Sequence, residues 1–99
     1  MSSLPSQGFR HAATLLLTNR ARAIPGYASG DAVANAMAQL ARDLVALADD
    51  TRAPAEAAPW LIAEFTRTVD RLPHTFDREH AKRAGTAVLA GLAQRAPVA

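Results

Sequence analysis

The stretch that decides the fold is Asp31 to Ala48, "DAVANAMAQLARDLVALA". Its large apolar residues, Val33, Met37, Leu40, Leu44 and Leu47, recur at intervals of four, three, four and three. That spacing lays them along one stripe of a 3.6-residue helix and puts Asn35, Gln39, Arg42, Asp43 and Asp49 on the other side. A strand would need strict alternation, which the run lacks. The preceding "IPGYASG" is a turn, with Pro25-Gly26 as its signal. Ser29 or Gly30 can cap the helix, and Asp31 in the first turn suits its positive end.

The same pattern recurs on both sides. Residues 6–23 set Phe9, Ala12, Ala13, Leu16 and Leu17 on one face. After the break "DDTRAPAEAAP", residues 59–72 set Leu61, Ile62, Phe65, Val69 and Leu72 inward, with Pro59 in the first turn. There its missing N–H costs nothing. Pro73 ends that helix. Thr75 is placed to cap a fourth, 76–95, whose inward residues read as Phe76, Ala84, Ala87, Val88, Gly91 and Leu92. Four helices of about 31–48, 6–23, 59–72 and 76–95, each with one apolar stripe, can share one core. The expectation is an all-α, four-helix bundle-like domain spanning 1–99, packed antiparallel. Its alanine-rich stripes let helices approach closely, and so lean a core suggests completion by a second copy.

Composition agrees. The 99 residues are 49% hydrophobic and 20% charged, values of a globular chain rather than a disordered one. Alanine, the best helix former, dominates the apolar share, and β-branched and aromatic residues are sparse. Ten of the eleven basic residues are arginine, and the net charge is +2. Residues 1–28 carry +3, 29–53 carry −2, 54–72 carry −1 and 73–99 carry +2. Basic ends and an acidic middle suit antiparallel packing as well as they suit a ligand. With no cysteine, disulfides, thiol catalysis and thiolate metal sites are excluded. The opening "MSSLPSQGF" lacks a basic n-region and no run is long enough to span a bilayer, so a cytoplasmic protein is expected.

Chemistry-bearing residues gather in "RLPHTFDREHAKRAG", Arg71 to Gly85. Asp70, His74, Asp77, Glu79 and His80 are metal-ligand types. However, Asp77 and Glu79 would lie about 160° apart around a helix at 100° per residue, and His80 falls beside Ala84 and Ala87 in the apolar stripe. No two histidines stand at i, i+4. Neither a metal nor a cofactor is expected, and His80 reads as a semi-buried structural histidine. Nucleophile elbow, phosphate-cradling glycine loop and forced carboxylate pair are all missing. Glu79 and Arg83 form an i, i+4 pair in the favourable order, which gives both a structural use. The expectation is a non-enzyme.

Two binding readings remain. A helix, the short turn "PHT" and a second helix opening with Arg78, Lys82 and Arg83 outline a helix-turn-helix, and those three would touch phosphate or an acidic partner. Against it stand a proline turn, Asp77 and Glu79 near the phosphates, and no Asn or Gln placed to read bases. The second reading centres on Trp60. It points away from its helix's core stripe, in company with Glu64, Arg67 and Arg71. It either folds back on the N-terminal segment or linker, or anchors a partner, a role for which tryptophan and arginine are enriched. Leu89 shares a face with Arg78, Lys82 and Gly85 and so reads as a second off-stripe apolar residue on that surface. Arg20, inside the first stripe, is expected to snorkel or pair with an acid. Together these place the partner surface on Trp60, Glu64, Arg67, Arg71 and Leu89. The protein is expected to bind another protein and to self-associate, with DNA binding as the alternative.

Because the second helix carries the cleanest stripe, Leu40→Ala or Leu44→Ala should cost about 2–5 kcal/mol, a large part of a small domain's stability. Thermal melts check this: variants within a few degrees of the parent would remove that helix from the centre.

Overall fold

The computed structural model describes residues 3–53, 56–72 and 77–93. These form four helices, α1 (Ser3–Ala23), α2 (Gly30–Asp50), α3 (Ala57–Asp70) and α4 (Arg78–Ala93), with no strand among the described residues. The architecture is the all-α bundle that the periodicity implies. In α2, Val33, Met37, Leu40 and Leu44 are fully buried, joined by Ala41 and Ala48, while Leu47 sits at the margin. Phe9, Ala13 and Leu17 of α1 and Leu61, Phe65 and Val69 of α3 enter the same core.

The helix ends are set by local chemistry. Ser29 takes extended backbone and its Oγ accepts the Ala32 N–H at 3.1 Å. At the other end of α2, the Ala53 N–H reaches the Ala48 carbonyl at 2.9 Å and the Arg52 N–H the Asp49 carbonyl at 3.2 Å. This is a Schellman closure, and it puts Arg52 at φ 54, where glycine is the usual occupant. α1 starts three residues before the expected Ser6, since Pro5 then falls in the first turn, where no N–H is needed. The expected Thr75 cap and the inward Phe76 lie outside the described residues. Within them, Asp77 caps α4: its Oδ1 accepts the His80 N–H at 3.0 Å.

Each helix has two main neighbours: α1 and α4 both lie against α2 and α3. Phe9 of α1 meets Trp60 near the start of α3, and the last turns of α1 and α3 line one groove, so these two run parallel. Thr18 to Ile24 and Thr68 to Leu72 meet there. Within each consecutive pair, α1–α2 and α3–α4, the helices are antiparallel. Two helical hairpins therefore lie side by side with their turns at the same end, rather than forming a ring in which every neighbour is antiparallel. Extents of 45 × 22 × 17 Å fit two helices by two at the roughly 8–10 Å spacing of packed helices.

α4 corrects the expected stripe. Its buried positions are Ala81, Gly85, Leu89 and Leu92, with Ala84 and Val88 half-buried and Ala87 and Gly91 exposed. Leu89 is a core residue at 0% exposure, not part of an outward partner surface. The same rotation carries His80 out to solvent instead of into the stripe. The cause is Phe65, whose ring end rests directly on Gly85. Glycine adds no hydrophobicity to a helical wheel, yet here it is the hollow that admits the largest fully buried side chain of the neighbouring helix.

A methyl group at position 85 would overlap the Phe65 ring, which is fully buried and has nowhere to turn. Gly85→Ala should therefore cost about 1–3 kcal/mol of overpacking, against roughly 1 kcal/mol gained in helix propensity. Arg52→Gly should do the reverse, relieving left-handed backbone worth about 1 kcal/mol and raising the melting temperature by roughly 4–8 °C. Calorimetry on both variants reads the two signs directly.

Candidate functional site

The residues expected to form one partner surface are distributed by the fold to different tasks. Trp60, Glu64, Thr68 and Arg71 follow one another along the side of α3 that borders α1. Trp60 is half-buried. Its ring meets Phe9 edge-on, with centroids 6.2 Å apart and planes at 67°. The Arg10 guanidinium lies 5.3 Å from the ring centroid, a cation–π distance. The tryptophan thus clamps α1 to α3, the fold-back use. Glu64 binds Arg67 at 2.7 Å on its own helix. Only Arg71 of this set extends from the surface without an acidic partner among the described residues.

The basic residues expected to meet phosphate are likewise engaged. Arg78 donates from Nη1 to the Val69 carbonyl at 2.6 Å and from Nη2 to the Leu72 carbonyl at 2.7 Å. It thereby closes the C-terminal end of α3, whose last carbonyls have no partner within the helix. Lys82 bonds Asp70 at 2.7 Å and approaches Glu79 at 3.5 Å. Glu79 therefore turns to Lys82 rather than to the expected Arg83. The hydrogen bond to Asp70 raises the Lys82 pKa above its usual 10.5, against a smaller opposing effect of desolvation. A raised value means that any stabilisation is complete below the unfolded pKa and is lost only as pH climbs through the folded one, well into the alkaline range. Of the three, Arg83 alone is exposed and without an acidic partner among the described residues. α3 and α4 do form a hairpin, but two of its three expected phosphate contacts hold the hairpin together.

Arg20 pairs with Asp43 of α2 at 2.7 Å, the acid its place in the α1 stripe called for. Asp43 also accepts from Gln39 at 3.0 Å, which accepts from Arg42 at 2.9 Å. Among the described residues no three His, Asp or Glu side chains come close enough to hold a metal ion. His74 lies outside them. No described helix is long and apolar enough to cross a membrane.

Three features that the sequence does not announce lie on α1, in the turn after it, and between the last turns of α1 and α3. Tyr27, between α1 and α2, is 91% exposed, and Leu15 on the outer face of α1 is 50% exposed. Between the last turns of α1 and α3 lies a groove of about 380 Å³, lined by Thr18, Arg22, Ile24, Thr68, Arg71 and Leu72. Ile24 also walls a smaller hollow of about 210 Å³ toward α2. An aromatic residue inside "IPGYASG" was the available signal for Tyr27. Nothing in the sequence signals the groove, because its two sides are about 50 residues apart.

Trp60→Ala should lower stability by about 2 kcal/mol, the loss of a half-buried indole and its aromatic contact. Arg10→Ala should lower it by about 0.5–1 kcal/mol. Melting and association measured on the same Trp60→Ala protein test this, and unchanged melting with lost association would return the residue to an interface role. The chain matches no known protein family, no curated protein and no solved structure.

Proposed function

We propose that this chain is a small non-enzymatic interaction module that works in the cytoplasm by docking on a protein partner and on copies of itself, as an adaptor, regulator or inhibitor. The observation that carries the reading is Tyr27. A tyrosine 91% exposed on a turn contributes almost nothing to the fold, yet its ring is the kind of rigid, amphipathic surface enriched at interfaces. It stands beside two apolar hollows that share Ile24, and Leu15 extends the apolar surface along α1. We therefore take Tyr27 and these hollows, rather than the flank of α3, as the partner surface. The absence of cysteine suits a reducing compartment.

Because Tyr27 and Leu15 are exposed, substitution there separates binding from folding. Tyr27→Ala should weaken association at least tenfold, about 1.4 kcal/mol, while melting stays within a couple of degrees of the parent. A photoreactive phenylalanine analogue at position 27, irradiated in the source cell, should give a discrete adduct with a partner or a second copy. Absence of any adduct, together with a monomer at every concentration tested by sedimentation, would refute the reading. DNA binding through α3 and α4 is tested alongside it. Retention on non-specific DNA that falls steeply with salt would favour that alternative, and no retention favours the module.

A further inference from the structure

We infer that the groove between the last turns of α1 and α3 receives an acidic segment of the partner protein, with one carboxylate held between Arg22 and Arg71. An apolar neighbour of that carboxylate lies on Ile24 and Leu72. The inference rests on the interaction-module reading and names the chemistry of its partner.

Charge carries it. Among the described residues, Arg20, Arg67 and Lys82 each have a carboxylate partner, Arg42 has Gln39, Arg10 has the Trp60 ring and Arg78 has two carbonyls. Arg22, Arg52, Arg71 and Arg83 have none of these, and two of those four line the same groove. A basic residue in the last turn of a helix ordinarily serves the unpaired carbonyls there. In α3 Arg78 already fills that role from the next helix, which leaves the Arg71 guanidinium for something outside the chain. The planar fork of arginine fits a carboxylate with two parallel hydrogen bonds.

The floor is apolar, from Ala21, Ile24 and Leu72, with the Thr18 hydroxyl at its side. Its volume of about 380 Å³ is near the lower end of the roughly 300–1,000 Å³ typical of ligand sites. That is room for a side chain or two of a docking segment and far less than a duplex requires. An apolar cover over the guanidinium groups would exclude water and strengthen a contact that, fully exposed, is worth only about 0–1 kcal/mol. Tyr27 lies three residues beyond Ile24 in the chain and is exposed, so a docking segment long enough to reach it gains a contact that a free small acid does not.

The test uses the full chain, ¹⁵N-labelled. One probe is an acetylated, amidated dodecapeptide of alternating Glu and Phe/Leu pairs. A second is its twin with every Glu replaced by Gln, and a third is octanoate. The acidic peptide should shift the amides of Thr18 to Ile24 and Thr68 to Leu72 saturably, and the Gln twin should bind at least tenfold more weakly. Arg22→Glu and Arg71→Glu should each lower affinity at least tenfold with unchanged melting, which exposed side chains permit. Shifts elsewhere, equal binding of the Gln twin, or insensitivity to charge reversal would overturn the inference. Octanoate binding more tightly than the peptide would make this a site for small carboxylates and overturn the assignment to a protein segment. The photo-adduct at position 27 separates the two levels. If it forms equally in the Arg22→Glu and Arg71→Glu chains, the groove assignment fails and the module reading stands. If the parent forms none, the module reading itself fails.

Discussion

Phe65 resting on Gly85 is the contact around which the rest of this bundle is arranged. The ring can sit there only because position 85 has no Cβ, and its insertion fixes the rotation of α4 about its own axis. With that rotation set, Ala81, Leu89 and Leu92 face inward and Ala87 and Gly91 face out. The same rotation aims Arg78 at the Val69 and Leu72 carbonyls around the end of α3 and Lys82 at Asp70. Three tertiary links between α3 and α4 thus depend on one missing methyl group. Interiors packed to crystal-like density transmit such constraints because they cannot absorb them locally.

The two hairpins are joined differently. α1 holds α3 through an aromatic clamp near their starts, Phe9 against Trp60 under Arg10, and holds α2 through Arg20 and Asp43. Toward the turn end, that aromatic filling gives way to Thr18, Ala21, Thr68 and two arginines, none of which closes the seam between α1 and α3. The groove follows from where the large side chains run out. Four of its lining residues belong to the last turns of α1 and α3, with Arg22 inside α1, Arg71 at the C-cap of α3, and Ile24 and Leu72 just past the helix ends.

The proposed function therefore draws on the polar groups that the fold leaves over. Arginine is used here mainly as internal mortar: on a ring, on carboxylates and on helix-end carbonyls. A binding reading drawn from charge alone would count all of them equally. Geometry reduces that number to a few, and among the described residues only Arg22 and Arg71 of those few share an apolar hollow near an exposed tyrosine.

Element type and the α2 core were legible in the chain because helix periodicity is local: Val33, Met37, Leu40 and Leu44 announce one buried face without reference to any other helix. Caps were legible for the same reason at Ser29, where a side chain serves its own backbone. The charge of Arg20 inside an apolar stripe already required an acid, although not Asp43 in particular. Tertiary structure decided the rest. A helix with two neighbours buries its flanks as well as its centre, so a wheel drawn for one partner placed Trp60 outside when it lies against Phe9. The wheel also weighted alanines equally and gave Gly85 no weight, and so turned α4 away from Leu89. The parallel setting of α1 beside α3, and with it the pairing of Arg22 and Arg71 across a groove, is carried by contacts between segments about 50 residues apart. Sequence by itself determined which faces must be buried; only the packed structure decided against what, because complementarity of shape belongs to pairs of surfaces and not to either helix alone.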